Sequence, residues 1–99
     1  MAILPRCEKV LFSGHALRRM FERGITGDRV LSVLRNGRVI VTYPDDTPYP
    51  TYLVLGFVGR EPLHVLVALD ESTSTAVVVT AYVPDPDLWN GDFRTRSEP

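Results

Sequence analysis

Residues 36–43 read Asn36-Gly37-Arg38-Val39-Ile40-Val41-Thr42-Tyr43, and the spacing of apolar residues changes within this stretch. Before it, apolar residues recur every three or four positions, as on one face of a helix, and Asn36-Gly37 is a typical helix end. After it, β-branched residues dominate and the apolar spacing is that of strands. Helices followed by strands predict an α+β domain, with two N-terminal helices packed on one face of an antiparallel sheet of about four strands.

Two helices are predicted on the N-terminal side of this stretch. Ser13 is a favourable N-cap for the first helix, which we expect to run to about residue 23, where Gly24 can adopt the left-handed conformation that ends a helix. Thr26 is the N-cap of the second helix. The preceding residues, 1–12, form a leader or an edge strand.

Four strands are predicted on the C-terminal side, with the clearest hairpin turn at Gly59-Arg60-Glu61-Pro62. The last strand is almost entirely apolar, so we expect it to be central. The tail carries Leu88, Trp89 and Phe93, which can lie across the fold as a lid. We expect one domain over residues 1–99, with a core at 13–93 and a frayed tail at 94–99. The predicted strands cover residues 39–43, 52–58, 63–69 and 76–83.

Composition excludes several classes of protein. Hydrophobic residues make up 44% and charged residues 23% of the chain, which is typical of globular proteins. Cys7 is the only cysteine, so an intrachain disulfide and a four-thiolate zinc site are impossible. The sequence shows no secretory signal and no apolar run long enough to cross a membrane, so we expect a cytoplasmic protein that does not contact the membrane.

The charge balance argues against a general nucleic-acid binder. The formal net charge is −1, yet ten of the 11 cationic residues are arginine. The planar guanidinium group suits phosphate, so this bias is compatible with one focused phosphate site.

One stripe of the first helix carries candidate functional residues. His15, Arg19 and Arg23 follow one another at intervals of four and fall within about 80° of each other on a helix. Four residues on the neighbouring side are expected to face the core: Ala16, Leu17, Met20 and Phe21. An ordinary solvated helix face is the competing interpretation of the stripe.

Three polar residues of the sheet are further candidates. Strand alternation places His64 on one face with Leu66 and Ala68, and predicts that Thr80 shares its face with Val78 and Tyr82. If the helices cover that face, His64, Thr80 and Tyr82 can converge on the helix stripe. The alternatives are a hydrogen-bonded core or edge histidine for His64, a plain β-former for Thr80 and a core tyrosine with a satisfied hydroxyl for Tyr82.

These residue types suit metal-free RNA cleavage. That reaction needs a base for the 2′-hydroxyl, an acid for the leaving oxygen and cations for the phosphate. Histidine can provide the first two and arginine the third. The same groups would also bind a phosphorylated small molecule. Two histidines without ligand spacing do not make a metal site, and no cofactor motif is present, so we expect neither metal nor cofactor.

The first helix resembles the motif SxHAxxRMxxRGI of a widespread bacterial family of unknown function. Weaker similarity continues at Asn36-Gly37, Leu53-Val54-Leu55-Gly56, Pro62-Leu63-His64-Val65 and Thr80-Ala81-Tyr82, so the resemblance covers residues 13 to about 93. The residues that carry the helix motif are Ser13-Gly14-His15-Ala16-Leu17-Arg18-Arg19-Met20-Phe21-Glu22-Arg23-Gly24-Ile25.

The resemblance implies a RelE-like fold of the barnase–EndoU–colicin–RelE group of metal-independent ribonucleases. The implied partners are RNA, including mRNA on the ribosome, and an antitoxin protein of the zinc-ribbon and helix-turn-helix kind. A homodimer formed through an edge strand is a further expectation. The slightly acidic balance departs from typical toxins of this group. The resemblance marks the residues already identified from their spacing: His15, Arg19, Arg23, His64, Thr80 and Tyr82.

Three hypotheses follow. In the first, the chain is an endoribonuclease with one histidine as the base, the other histidine or Tyr82 as the acid, and Arg19 with Arg23 as the phosphate clamp. In the second, the same groove of a non-catalytic module binds an antitoxin-like protein or a nucleotide. In the third, His15 and Arg19 are structural and pair with acidic residues such as Asp70 or Glu22.

Overall fold

The computed structural model describes residues 8–87, 89 and 91–93. Predictions that concern the rest of the leader, Leu88 and the tail at 94–99 lie outside these residues. The predicted α+β class is confirmed. The elements follow in the order β1 (Lys9–Phe12), α1 (Gly14–Arg23), α2 (Gly27–Asn36), β2 (Arg38–Tyr43), β3 (Thr51–Val58), β4 (Glu61–Asp70) and β5 (Thr75–Tyr82).

The sheet has five strands in the order β1-β5-β4-β3-β2, where an antiparallel sheet of about four was predicted. Strand β1 lies parallel to β5, whereas the other pairs are antiparallel, so the sheet is mixed. The leader strand is the source of the difference. It pairs with the last strand of the sheet, more than 60 residues away in the chain, and no local pattern specifies such a pairing.

Both helices begin and end where the capping residues predict. The Ser13 hydroxyl accepts a hydrogen bond from the Ala16 amide at 3.0 Å, and the Thr26 hydroxyl accepts one from the Arg29 amide at 3.3 Å. Gly24 ends α1 with φ of 67°, in the left-handed region where glycine is favoured. The local sequence therefore specifies where these helices begin and end.

One hydrophobic core joins both helices to a single face of the sheet. Helix α1 packs mainly on β5, and α2 packs on β3 and β4. Burial of these side chains supplies the main driving force for folding. The most buried members include Ala16, Met20, Val30, Val33, Leu34, Val54, Val65, Val67 and Val78.

Two residues of α1 that were expected in the core are exposed. Leu17 is 53% exposed and Phe21 is 89% exposed, while Ala16 and Met20 are buried as predicted. The reason is the position of the helix. Strand β5 lies next to the edge strand of the sheet, so the sheet lies under only a narrow stripe of α1.

A β-bulge in β5 changes the face on which its last residues lie. Thr80 pairs with Leu66, but Val78 pairs with Val67, so one extra residue of β5 lies between the two pairs. Val78 therefore lies in the helix-covered core, whereas Thr80 and Tyr82 lie on the opposite face. The prediction that Val78 shares their face is wrong, because alternation cannot anticipate a bulge.

The face of the sheet away from the helices is also partly covered. Leu53, Leu55 and His64 are buried there without belonging to the main core, and Trp89 of the C-terminal segment lies against the His64 ring. Neither of the two described helices, each ten residues long, has the length and apolar character needed to cross a membrane.

Close contact between α2 and β3 leads to a first prediction. A Cβ atom on Gly37 would lie 2.5 Å from the carbonyl oxygens of both Leu55 and Val33, and neither backbone can move away cheaply. We expect Gly37→Ala to lower the free energy of unfolding by about 1–3 kcal/mol, because overpacking forces the backbone to shift. Thermal denaturation followed by circular dichroism measures the effect. Gly14→Ala, which meets nothing within 4 Å, is the control, and an equal loss in both variants would contradict the prediction.

Candidate functional site

Arg23 connects the end of α1 to β5. Its Nη1 donates a hydrogen bond to the Ala81 carbonyl oxygen at 2.8 Å and lies 3.4 Å from the Thr80 hydroxyl oxygen. The contact is possible because β1 ends at Phe12, opposite Val78, so β1 does not pair with the last residues of β5. Both described contacts of Arg23 use Nη1. The other N–H groups of this guanidinium can therefore bind an anion.

His64 and Tyr82 form a buried pair on the face away from the helices. The His64 Nε2 lies 2.8 Å from the Phe93 carbonyl oxygen, and Nδ1 lies 3.2 Å from the Tyr82 hydroxyl. A carbonyl oxygen can only accept, so Nε2 carries the proton and Nδ1 of the neutral ring accepts from Tyr82. The Trp89 ring contacts His64 edge-on, with the ring centroids 4.5 Å apart.

The environment of His64 favours its neutral form. Burial lowers the pKa of this imidazole from its usual 6.5, and the hydrogen bond to the Phe93 carbonyl opposes that shift only in part. A neutral imidazole with its Nδ1 lone pair directed at a phenol can accept the phenolic proton. The His64–Tyr82 contact therefore places a neutral acceptor nitrogen beside the phenolic hydroxyl.

His15 and Arg19 are exposed on α1 and do not meet the sheet residues. Arg19 Nη1 lies 3.7 Å from Glu22 Oε2 on the same helix, and both side chains are about half exposed. Such a surface pair contributes about 0–1 kcal/mol and cannot dock the helix on the sheet. His64 lies on the other face of the sheet from α1. The predicted convergence of both histidines on one groove is therefore wrong, because the helices cover the face opposite to His64.

Four of the six predicted residues thus form two contacts, and the other two lie apart from them. Arg23 meets Thr80, and His64 meets Tyr82, whereas His15 and Arg19 are exposed on α1, where Arg19 pairs with Glu22. The two contacts are linked through β5. Thr80 and Tyr82 are two residues apart on one face, a separation of about 7 Å. Tyr82 also lines a groove of about 180 Å³ on that face, together with Tyr43, Asp46, Thr51, Leu53 and Leu66.

The group that binds His64 Nε2 could not be predicted from the sequence. This nitrogen binds a backbone carbonyl, that of Phe93, and no residue type reveals such a partner in advance. Phe93 has φ of 56°, a conformation that is rare for a bulky residue. Trp89, the only tryptophan, is the sequence feature that indicates this contact. An aromatic residue in a short tail indicates that the tail packs on the domain.

Metal-ligating side chains do not cluster in the part of the chain that the structure describes. There, no group of three or more His, Cys, Asp or Glu residues is close enough to hold an ion.

The lowered pKa of His64 leads to a second prediction. Below the ordinary histidine pKa the unfolded chain takes up a proton that the folded chain resists, so stability falls as the pH decreases from about 8 to about 5. The melting temperature should fall over this range, and Trp89 fluorescence should follow the release of the C-terminal segment. His64→Asn should remove part of this pH dependence, whereas His15→Asn should retain all of it. A wild-type profile that is flat over this range would refute the assignment.

Comparison with known proteins gives a family and no closer relative. No curated protein and no solved structure matches the chain. Residues 12–83 match the family described as Domain of unknown function (DUF4258), and this match spans both helices and strands β2 to β5. The chain belongs to the DUF4258 family.

Proposed function

We propose that the protein is a metal-independent endoribonuclease of the toxin–antitoxin type with a RelE-like fold. One observation carries the proposal. The guanidinium of Arg23 and the His64–Tyr82 pair meet the same short stretch of β5, at residues 80–82. A phosphate binder and a proton acceptor at this separation are the minimum needed to cleave a phosphodiester beside a 2′-hydroxyl.

The reaction uses the pair as a proton relay. The ribose 2′-hydroxyl loses its proton to the Tyr82 oxygen, while Tyr82 passes its own proton to His64 Nδ1. The 2′-oxygen attacks the adjacent phosphorus, and the bond from phosphorus to the 5′-oxygen breaks. The relay then returns a proton to the departing 5′-oxygen. The products are a 2′,3′-cyclic phosphate and a 5′-hydroxyl, with no net change in the protein.

In this scheme Arg23 stabilises the negative charge on the crowded phosphate, and Thr80 orients the phosphate. His15 and Arg19 continue the polar stripe of α1 away from this position at intervals of one helical turn, about 6 Å each. They are exposed, so they can contact the next phosphates along a single strand. A short stripe explains how a chain of net charge −1 can still bind RNA at one place.

RNA cleavage in the presence of a chelator is the direct test. We expect purified protein to cleave total RNA in EDTA, with Tyr82→Phe and Arg23→Ala each slower by about 10²-fold. Tyr49→Phe and Arg18→Ala are the matched controls, because both residues are exposed and lie outside the proposed site. Intact RNA with the wild type, or equal loss in the controls, would overturn the proposal.

A second candidate function is a non-catalytic module that binds an antitoxin protein. The exposed pair Leu17 and Phe21 favours it, because two large apolar side chains one turn apart make a patch that a folded domain usually covers. Arg18 is exposed next to this patch on α1. An apolar antitoxin segment with acidic neighbours would complement both features. We also propose a homodimer formed through β2, which lies at one edge of the described sheet.

Co-expression with the neighbouring gene product distinguishes the two functions. The binding module predicts unimpaired growth on induction of the chain alone and a stable complex that Phe21→Asp disrupts by at least about tenfold in affinity. Phe57→Asp is the matched control, since that phenylalanine is exposed on strand β3 and not on α1. Growth arrest that the neighbouring gene product relieves would support the toxin instead, and a complex insensitive to Phe21→Asp would refute this surface.

A further inference from the structure

The groove beside Tyr82 has a second end, which the proposed cleavage reaction does not use. This groove has a volume of about 180 Å³ and lies on the face of the sheet away from the helices. Leu53 of β3 and Leu66 of β4 pair with each other in the middle of it. Tyr82 lines it from β5, and Tyr43 lines it from β2, three strands away in the sheet. The groove therefore runs across the strands.

Three contacts fix the arrangement of the end at β2. Tyr43 pairs with Thr51 across β2 and β3, so their Cβ atoms lie about 5 Å apart. The Thr51 hydroxyl donates a hydrogen bond to Asp46 Oδ2 at 2.5 Å, and the Asp46 amide donates one to the Tyr43 carbonyl oxygen at 3.3 Å. The Asp46 carboxylate is therefore held at the same corner of the sheet as the Tyr43 side chain. We call these three residues the Asp46 corner.

The Asp46 corner offers an acceptor and an aromatic surface. Oδ2 of Asp46 accepts the hydrogen bond from Thr51, whereas Oδ1 accepts none from the residues that the structure describes. Tyr43 is 42% exposed, so a ligand can reach its ring. Among the described residues that line the groove, Asp46 carries the only charge. This end of the groove therefore suits a cation, and a phosphate would meet a carboxylate there without a cation to pair with.

We propose that this groove binds an arginine side chain of a partner protein. A guanidinium group carries several N–H donors in one plane, so it can donate to the Asp46 carboxylate and lie against the Tyr43 ring. The methylene stem of the same side chain can pack on Leu53 and Leu66. Lysine has the charge and the stem but lacks the plane, so we expect it to bind less tightly.

The groove fits an arginine within a polypeptide better than the free amino acid. Free arginine carries an α-carboxylate, and the described residues that line the groove provide no cation to pair with that group. The inference goes beyond the proposed cleavage reaction and does not depend on it, because the Asp46 corner takes no part in that reaction. Tyr82 lies at the other end of the groove, so a partner bound there would lie next to the proposed cleavage site.

Titration of the full chain with N-acetyl-arginine amide, followed by NMR, tests the proposal. This capped arginine represents an arginine within a polypeptide, and capped citrulline has the same shape without the charge. We expect the capped arginine to bind at least about tenfold more tightly than the capped citrulline. Asp46→Asn should remove this preference, although its amide oxygen can still accept from Thr51. Tyr43→Ala should weaken binding of the capped arginine by about two- to fivefold.

Two variants outside the groove are the matched controls. Asp45→Asn removes an exposed carboxylate from the same loop, and Phe57→Ala removes an exposed aromatic ring elsewhere on β3. Both should bind the capped arginine as the wild type does. Unchanged melting temperatures establish that the variants are folded. Equal affinity for arginine and citrulline, or a loss in Asp45→Asn as large as in Asp46→Asn, overturns the proposal.

The competing occupants give different results. If adenosine or guanosine shifts the signals of the groove and the capped arginine does not, the groove is a nucleobase subsite and the proposal is overturned. Sedimentation of the chain alone tests for a second copy, and a dimer that Asp46→Asn dissociates would overturn the assignment to another protein. A preference for arginine in a chain that does not cleave RNA would support this inference and refute the nuclease alone.

Discussion

Strand β5 has a neighbour on both sides over only the first half of its length, and much of the structure depends on this. Strand β4 pairs with it from Thr75 to Tyr82, but β1 stops opposite Val78. The chain leaves β1 at that level and enters α1, which packs over β5. The last residues of β5 are therefore free to bulge and to present the Ala81 carbonyl to Arg23. A longer first strand would occupy this edge and separate the helix from Thr80.

The two faces of the sheet are buried by different means. The helices cover one face with an apolar core, whereas the other face is closed locally by the C-terminal segment. A buried imidazole is costly unless both ring nitrogens are satisfied, and here Tyr82 and the Phe93 carbonyl satisfy them. His64 therefore ties the tail to the sheet as well as supporting Tyr82. The same side chain serves stability and, in our proposal, proton transfer.

Charge is concentrated locally in a chain that is close to neutral. The arginines that matter for the proposed site follow one face of a ten-residue helix, while Arg29 of α2 pairs with Glu61 of β4. The exposed Leu17 and Phe21 lie on the same short helix, so α1 presents both the polar stripe and the apolar patch to solvent.

Local sequence determined the parts of the fold that depend on neighbouring residues. Ser13, Thr26 and Gly24 define the helix ends because capping involves groups within a few residues of each other, and the strands follow their β-branched runs. The contacts of the site were decided by tertiary structure. Whether Leu17 is buried depends on how far the sheet extends under α1, and the face of Thr80 depends on a bulge set by pairing with β4. Every residue has the same backbone carbonyl group, so the sequence cannot indicate which one binds His64. Only the folded chain brings the Phe93 carbonyl to the imidazole ring.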